Sequence, residues 1–146
     1  MNGADLVGAV IAGLAAIVIW ELGKAASRRW RNHRHFGSLN GRYRITRKLA
    51  GPSHFWIALI KVKGTALNVE YEGLPNSDSI VGRIAMSEQF PHSGKGHYQH
   101  QKNGLRLWGF WELQVGASDT LLVHTTYADP KTNLLVTQGF IWSHFV

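Results

Sequence analysis

The feature that most constrains this chain is an uninterrupted apolar run near its N-terminus. Residues 6–20 read LVGAVIAGLAAIVIW and contain neither a charged residue nor a proline. At about 1.5 Å per helical residue the run is roughly 22 Å long, so flanking residues are needed to cross a hydrocarbon core of about 30 Å. The run therefore predicts a short transmembrane helix over residues 1–23.

Three other interpretations of this run compete with a membrane span. A cleaved signal peptide has positive charge before the apolar run, whereas here Asp5 precedes it and basic residues follow it. A helix that is apolar on every side can be buried only inside a larger protein, and an interfacial helix needs a polar face that this run lacks. The charge order and the apolar pattern favour the membrane span.

Residues 24–40 are predicted to form a basic collar and linker between this helix and the rest of the chain. Basic side chains beside a span contact anionic lipid headgroups and tend to stay in the cytoplasm. We therefore expect a single-pass membrane protein, with its N-terminus outside and residues after 23 in the cytoplasm. The residues predicted to contact headgroups are Lys24, Arg28, Arg29, Arg31 and Arg34.

Small residues recur every four positions within the apolar run. Such a pattern lets two helix backbones approach closely in a membrane, although Ala- and Gly-rich composition also produces it by chance. It indicates a homo-oligomer assembled through the residues Gly8, Ala9, Ala12, Gly13 and Ala16.

The composition limits the classes of protein that remain. The chain has 16 Lys and Arg against 9 Asp and Glu, and its formal net charge is +7. It has no cysteine, which excludes a disulfide framework and thiolate metal sites. The positive charge is shared between the collar and the remaining domain, so headgroup binding does not account for all of it.

Residues 41–146 are predicted to form one mainly β domain. Short runs of β-branched and aromatic residues alternate with turn residues such as Asn103-Gly104. Gaps this short join neighbouring antiparallel strands. We predict an eight-stranded antiparallel β-barrel, with a two-sheet β-sandwich as the alternative. The predicted strands cover residues 41–48, 55–63, 66–72, 80–87, 96–101, 105–115, 120–128 and 134–145.

Alternation along these strands groups basic and aromatic side chains into a candidate ligand site. Aromatic rings stack on bases and guanidinium groups pair with phosphates, so the set suits a nucleotide or an oligonucleotide. The competing interpretation is that the arginines are solvated outer residues and the aromatics belong to the core. The predicted ligand-binding residues are Arg42, Arg44, Tyr71, Arg83, Tyr98, Arg106 and Trp108.

No catalytic or metal site is predicted. The densest histidine cluster is His92, His97 and His100, but residues 97 and 100 of a strand point to opposite faces. The sequence contains neither a phosphate loop nor a nucleophile elbow. We therefore predict a protein that is not an enzyme and that carries no cofactor.

The overall organisation resembles the transmembrane, β-strand-rich membrane effectors of bacterial CBASS antiphage systems, which are associated with CD-NTases. A basic-flanked membrane segment leads directly into a β-rich domain that begins LNGRYRI at residues 39–45. The stretches GKGHY at 94–98 and GFWELQV at 109–115 are similar to barrel strands of that family. Family members carry two membrane helices, and one is visible here.

The resemblance implies a defence effector of the bacterial inner membrane with a cytoplasmic barrel. The barrel would bind a cyclic oligonucleotide made by a partner nucleotidyltransferase, and the protein would then oligomerise and disrupt the membrane. The alternatives are a membrane-tethered carrier of a lipid or small hydrophobe, and a structural assembly subunit with a filled interior. Inward arginines would favour a nucleotide, whereas an inner face of Leu, Phe and Trp alone would favour a lipid or no ligand. No DNA or protein partner is predicted.

Overall fold

The chain consists of a helical unit, Met1–His35, and a β unit, Phe36–Val146. This organisation comes from a computed structural model, which describes residues 3–47, 55–118 and 120–145. Lys48, at the end of the first predicted strand, lies outside the described residues.

A single long helix, α1, covers Gly3–Phe36. The segment lacks proline, and Asp5 in its first turn favours the positive end of the helix dipole. Within it, Gly3–Arg28 is long and apolar enough to cross a bilayer. The large apolar side chains of this segment are exposed, as a lipid-facing surface requires.

Eight strands follow α1, with a 3-10 turn at Gly37–Leu39 before the first and another at Pro75–Ser77 between the third and fourth. Their bounds are β1 Gly41–Arg47, β2 Trp56–Lys63, β3 Ala66–Glu72, β4 Ser79–Met86, β5 Ser93–Lys102, β6 Leu105–Val115, β7 Thr120–Ala128 and β8 Leu135–Phe145.

The strands form a closed antiparallel barrel. Each strand pairs with the next along the chain, and β1 pairs with β8 to complete the cylinder. The predicted barrel is confirmed, and the sandwich alternative is wrong because the hydrogen-bonded sheet closes on itself. Two-residue turns explain part of this connectivity: Asn103 and Gly104 have φ of 50° and 79°, the positive values that a type I′ hairpin requires.

The one strand that differs clearly from its prediction is β5, which begins at Ser93 rather than at residue 96. The added residues include Gly94, and glycine is a poor strand former. Here it is required for packing, because a Cβ on Gly94 would lie 2.6 Å from Sδ of Met86 on the neighbouring strand.

Side chains alternate between the barrel interior and the outer surface. On β6, Trp111 and Leu113 point inward, whereas Trp108 and Phe110 point outward. The interior is filled mainly by aromatic and branched apolar groups. Its largest fully buried side chains are Trp111, Trp142, Tyr43, Ile60, Leu67, Ile84, Leu113, Leu121 and Val123.

One end of the barrel is sealed by the residues that lead into β1. Phe36 and Leu39 are buried in the core. The Tyr43 hydroxyl donates a hydrogen bond to the Leu39 carbonyl at 3.1 Å, and the Val62 N–H donates to Oδ1 of Asn40 at 3.1 Å. The opposite end, where β1 finishes and β2 begins, is the end at which the interior opens.

Candidate functional site

A cavity of about 510 Å³ opens at the end of the barrel opposite Gly41. Its depth is set by inward side chains of β3, β5, β6 and β7, and its rim by the turns at that end of the barrel. Apolar and aromatic groups form most of the wall. The deeper lining residues are Tyr71, Ile80, Tyr98, Leu107, Trp111, Thr125, Tyr127, Gln138 and Phe140.

Three aromatic rings are stacked in the cavity wall. The Trp111 indole lies between two phenol rings, with centroid distances of 4.7 Å to Tyr98 and 6.1 Å to Tyr71 and interplanar angles of 24° and 10°. Trp142 meets Trp111 edge-on at 5.8 Å. Such contacts fix the orientation of the rings. Because Trp111 is fully buried between the two phenols, the tyrosine rings are the members of the stack that can meet a ligand.

Two glycines make room for this stack. Tyr98 is paired with Gly82 on one side and with Gly109 on the other. A Cβ on Gly109 would collide with the Tyr98 ring, and a Cβ on Gly82 would lie 2.7 Å from Cζ3 of Trp111. The rings can therefore lie close to the sheet only because both positions lack a side chain.

The deep part of the cavity contains polar atoms without a partner. Trp111 and Thr125 are direct cross-strand neighbours on the inner faces of β6 and β7. Nε1 of Trp111 and Oγ1 of Thr125 are buried, and neither has a hydrogen-bond partner among the described residues. Buried polar groups are normally hydrogen-bonded, so this pair is an unsatisfied donor and an unsatisfied donor-acceptor within the cavity wall, and a ligand would reach the two atoms only if a neighbouring side chain moved.

The phenols of the wall stay uncharged at neutral pH. Burial raises the pKa of Tyr98 to about 12, and the nearby Tyr127 adds to this shift. Burial also raises the pKa of Tyr71 above its usual range, with Tyr98 contributing. The phenol hydroxyls therefore act as neutral hydrogen-bonding groups.

The rim of the cavity is basic. Arg47 ends β1, Lys102 ends β5, and Lys131 lies in the turn after β7, where its N–H donates to Oδ1 of Asp129 at 2.9 Å. Within the described ranges, none of the three cations forms an ion pair. They are available to an anionic group at the mouth.

His100 lies just inside this rim. Burial lowers its pKa, Asp78 opposes that shift, and Lys102 adds to it. The neutral imidazole is therefore favoured beside the rim cations.

The residues predicted from the sequence are divided between the two surfaces of the barrel. Tyr71 and Tyr98 line the cavity. The remaining five lie on the outer surface: Arg42, Arg44, Arg83, Arg106 and Trp108. The structure therefore does not bring the predicted arginines together with the cavity.

The outward arginines of β1 have local partners. Nη2 of Arg42 lies 2.8 Å from Oε2 of Glu72. The Arg44 guanidinium lies 4.4 Å from the ring centroid of Phe55 and 5.3 Å from that of Phe145. These contacts are typical of a solvated outer wall.

Several cavity residues were not among the predicted ones, although their strand parity contained the signal. Lys102 shares a strand face with Tyr98 and His100, and Arg47 shares one with Tyr43. Once one inward residue of each strand is known, alternation places these cations at the rim.

The helical unit supplies the remaining predicted residues. Gly8, Ala9, Ala12, Gly13 and Ala16 are exposed on α1. Lys24 contacts Oε1 of Glu21 at 3.3 Å and lies 5.3 Å from the Trp20 ring centroid. Arg28 and Arg31 are exposed, and the side chains of Arg29 and Arg34 lie outside the described part of the chain.

Neither a metal site nor a known relative identifies the protein. The described residues contain no cluster of three or more His, Asp or Glu side chains suited to a metal ion. No protein family and no curated protein matches the chain. Its fold and cavity define a small closed barrel with an aromatic interior and a basic mouth, preceded by one apolar helix.

Proposed function

We propose that the protein is a membrane-anchored sensor whose barrel cavity binds a small anionic ligand containing a flat aromatic ring. The observation that carries this proposal is the aromatic wall of Tyr71, Tyr98 and Trp111 below a rim that carries Arg47, Lys102 and Lys131. Flat rings stack on aromatic walls, and phosphates bind Lys and Arg. A cyclic oligonucleotide combines both features.

The resemblance to CBASS membrane effectors extends this proposal to antiphage defence. In that role the barrel would sense a nucleotide signal without catalysing a reaction. Ligand binding would favour an assembled state, provided that the assembled state binds the ligand more tightly than the monomer does. Assembly of the membrane helices would then disrupt the inner membrane.

The helix would supply both the anchor and the assembly surface. Gly8 and Gly13 have open space around them, so a partner helix could approach closely there. Replacing both with Leu should abolish cross-linked oligomers in membranes, whereas replacing Leu14 with Ile should not. Oligomers that persist in the double variant would contradict this assembly surface.

The proposed orientation can be tested directly because the chain has no cysteine. A cysteine at Gly3 should react with a membrane-impermeant maleimide in intact spheroplasts, and a cysteine at Lys61 should react only after lysis. Labelling of Lys61→Cys in intact cells would contradict a cytoplasmic barrel.

A carrier of a lipid or small hydrophobe is the second candidate. It is favoured by the apolar character of the deep wall, which the outward arginines do not reach. A purely structural role is less consistent with the fold, since a filled interior would not leave a cavity of about 510 Å³.

Thermal unfolding of the full chain in nanodiscs separates these functions. Cyclic dinucleotides should raise the melting temperature, because a ligand that binds the native state stabilises it. In Lys102→Ala/Lys131→Ala, binding should weaken by about tenfold or more through loss of charge-assisted hydrogen bonds. The matched control is Lys61→Ala/Lys63→Ala, which removes the same charge from exposed positions outside the cavity.

The outcomes are distinct. Stabilisation by cyclic dinucleotides that depends on the rim lysines supports the sensor. Stabilisation by oleate alone would establish the carrier instead, and no shift with either ligand would contradict a ligand-binding barrel.

A further inference from the structure

The outer wall of the barrel carries an exposed aromatic and basic surface that the cavity does not use. It centres on β6 and extends onto β4 and β8. We infer that this surface docks on an anionic lipid bilayer. It consists of Val81, Arg83, Arg106, Trp108, Phe110 and Leu135, and is called the β6 outer face below.

Strand register places Val81 and Trp108 at the same level of the outer wall, on either side of Gln99. Trp108 is 59% exposed, Phe110 65% and Leu135 77%. Large apolar side chains that are exposed together to this extent are typical of an interaction surface.

The polar part of the same face is cationic. Arg83 and Arg106 are both exposed. The acidic residue on the outer side of β6, Glu112, is engaged by Lys95 at 3.1 Å. The β6 outer face therefore presents two cations whose nearest outward carboxylate on β6 is already paired.

This combination suits a bilayer surface. Tryptophan and phenylalanine are favoured at the level of lipid headgroups, where part of the ring is in apolar surroundings. Basic residues beside them are attracted to anionic headgroups, with about 1 kcal/mol for each charge close to the surface.

A second copy of the chain fits the face less well. A two-fold interface must be self-complementary, and the carboxylates beside this face are Glu112, which is paired with Lys95, and Glu70, which lies opposite Val81 at the edge of the face. A stable dimer interface buries roughly 800 Å² on each partner, from some 20–30 residues, which exceeds four apolar side chains and two arginines. The positive charge of the face and its small size favour an anionic lipid surface.

The opposite wall provides a matched reference. On β2, Lys61 points outward and is exposed, and Asn68 of β3 separates it from Arg83. The outward positions there lack the aromatic pair of β6. A label on this wall reports the environment of the same barrel away from the proposed docking face.

The inference depends on the proposed membrane anchor but not on the identity of the cavity ligand. Because the chain has no cysteine, single-cysteine variants can carry a fluorophore at Gln99→Cys, between Val81 and Trp108 of the β6 outer face, or at Lys61→Cys on the opposite wall. The full chain is reconstituted in phosphatidylcholine vesicles with or without phosphatidylglycerol, and a fraction of the lipids carries a nitroxide headgroup quencher. Flotation of the vesicles first verifies that the chain is anchored.

Docking predicts that quenching at position 99 exceeds that at position 61 by about twofold or more in phosphatidylglycerol vesicles, and that high salt reduces the difference. The charge-reversal variant Arg83→Glu/Arg106→Glu and the variant Trp108→Ser/Phe110→Ser should both lose the excess quenching while still floating. Equal quenching at the two positions would overturn the inference. Protection of position 99 from the quencher that increases with the protein-to-lipid ratio and does not depend on lipid charge would also overturn the inference. It would indicate that a second copy of the chain covers this face. Failure to float would instead contradict the proposed anchor.

Discussion

Trp111 and Thr125 lie directly opposite each other on the inner faces of β6 and β7, and each buries a polar atom that has no hydrogen-bond partner in the described part of the chain. Both residues line the cavity. The barrel thus holds an unsatisfied donor and an unsatisfied hydroxyl within the cavity wall.

Thr125→Val should stabilise the free protein and lower its affinity for the ligand. An unpaired buried polar group costs about 1–3 kcal/mol, so replacing the hydroxyl with a methyl should raise the free energy of unfolding by about 1 kcal/mol. Affinity for a cyclic dinucleotide should fall, since one potential hydrogen bond is lost. Urea denaturation and calorimetric titration measure the two effects.

The control for this variant is its neighbour in sequence. Thr126 points outward, and its Oγ1 lies 2.9 Å from Oγ1 of Thr137. Thr126→Val should leave ligand affinity unchanged. An equal loss of affinity in both variants would contradict a ligand-binding role for Thr125.

Gly109→Ala should destabilise the barrel through the Tyr98 ring. The added Cβ would collide with that ring, and overpacking of this kind costs roughly 1–3 kcal/mol. In a Tyr98→Ala background the same substitution should cost much less, because the colliding ring is absent. A double-mutant cycle measures this coupling, and additive effects would contradict the packing described here.

Stability should decrease on acidification through His100. Its pKa in the folded protein is lowered from the usual 6.5, so as the pH falls the unfolded chain binds a proton before the folded protein does. The folded state therefore loses stability as the pH falls from about 6.5 towards the lowered pKa. His100→Gln should reduce this pH dependence in denaturant titrations at a series of pH values; an unchanged dependence would contradict the assignment to His100.

Arg106→Ala and Trp108→Ala should leave ligand affinity within about twofold of the unmodified protein, since both side chains point away from the cavity. Calorimetric titration of the two variants with a cyclic dinucleotide checks this. A loss of affinity comparable to that of the rim variant Lys102→Ala/Lys131→Ala would place the ligand on the outer wall instead.

The sequence was sufficient to predict the eight-stranded barrel and its strands, because turn residues separate the β-rich runs and short gaps require antiparallel neighbours. It also separated the two faces of β6 correctly: Leu107 and Trp111 share one face, and Arg106 and Trp108 the other. The assignment of a face to the interior was not possible from alternation, since both faces of this strand carry large apolar groups.

The position of the candidate site could not be derived for the same physical reason. A one-residue change of register exchanges the inner and outer sets of a strand, and neither set on β6 is purely polar. All four arginines that were predicted to bind the ligand therefore lie on the outer wall. The cations that do reach the cavity, Arg47, Lys102 and Lys131, lie at strand ends and in a turn, where only the closed barrel shows which end is open.

Ligand binding in the cavity is tested most directly by photo-cross-linking of the full chain in nanodiscs with an azido-substituted cyclic dinucleotide, followed by peptide mapping. A ligand in the cavity should give saturable adducts on residues such as Tyr71, Tyr98 and Tyr127, and unlabelled ligand should suppress them. Adducts confined to outer-wall positions such as Arg42 and Arg83, or labelling that unlabelled ligand does not suppress, would contradict binding in the cavity.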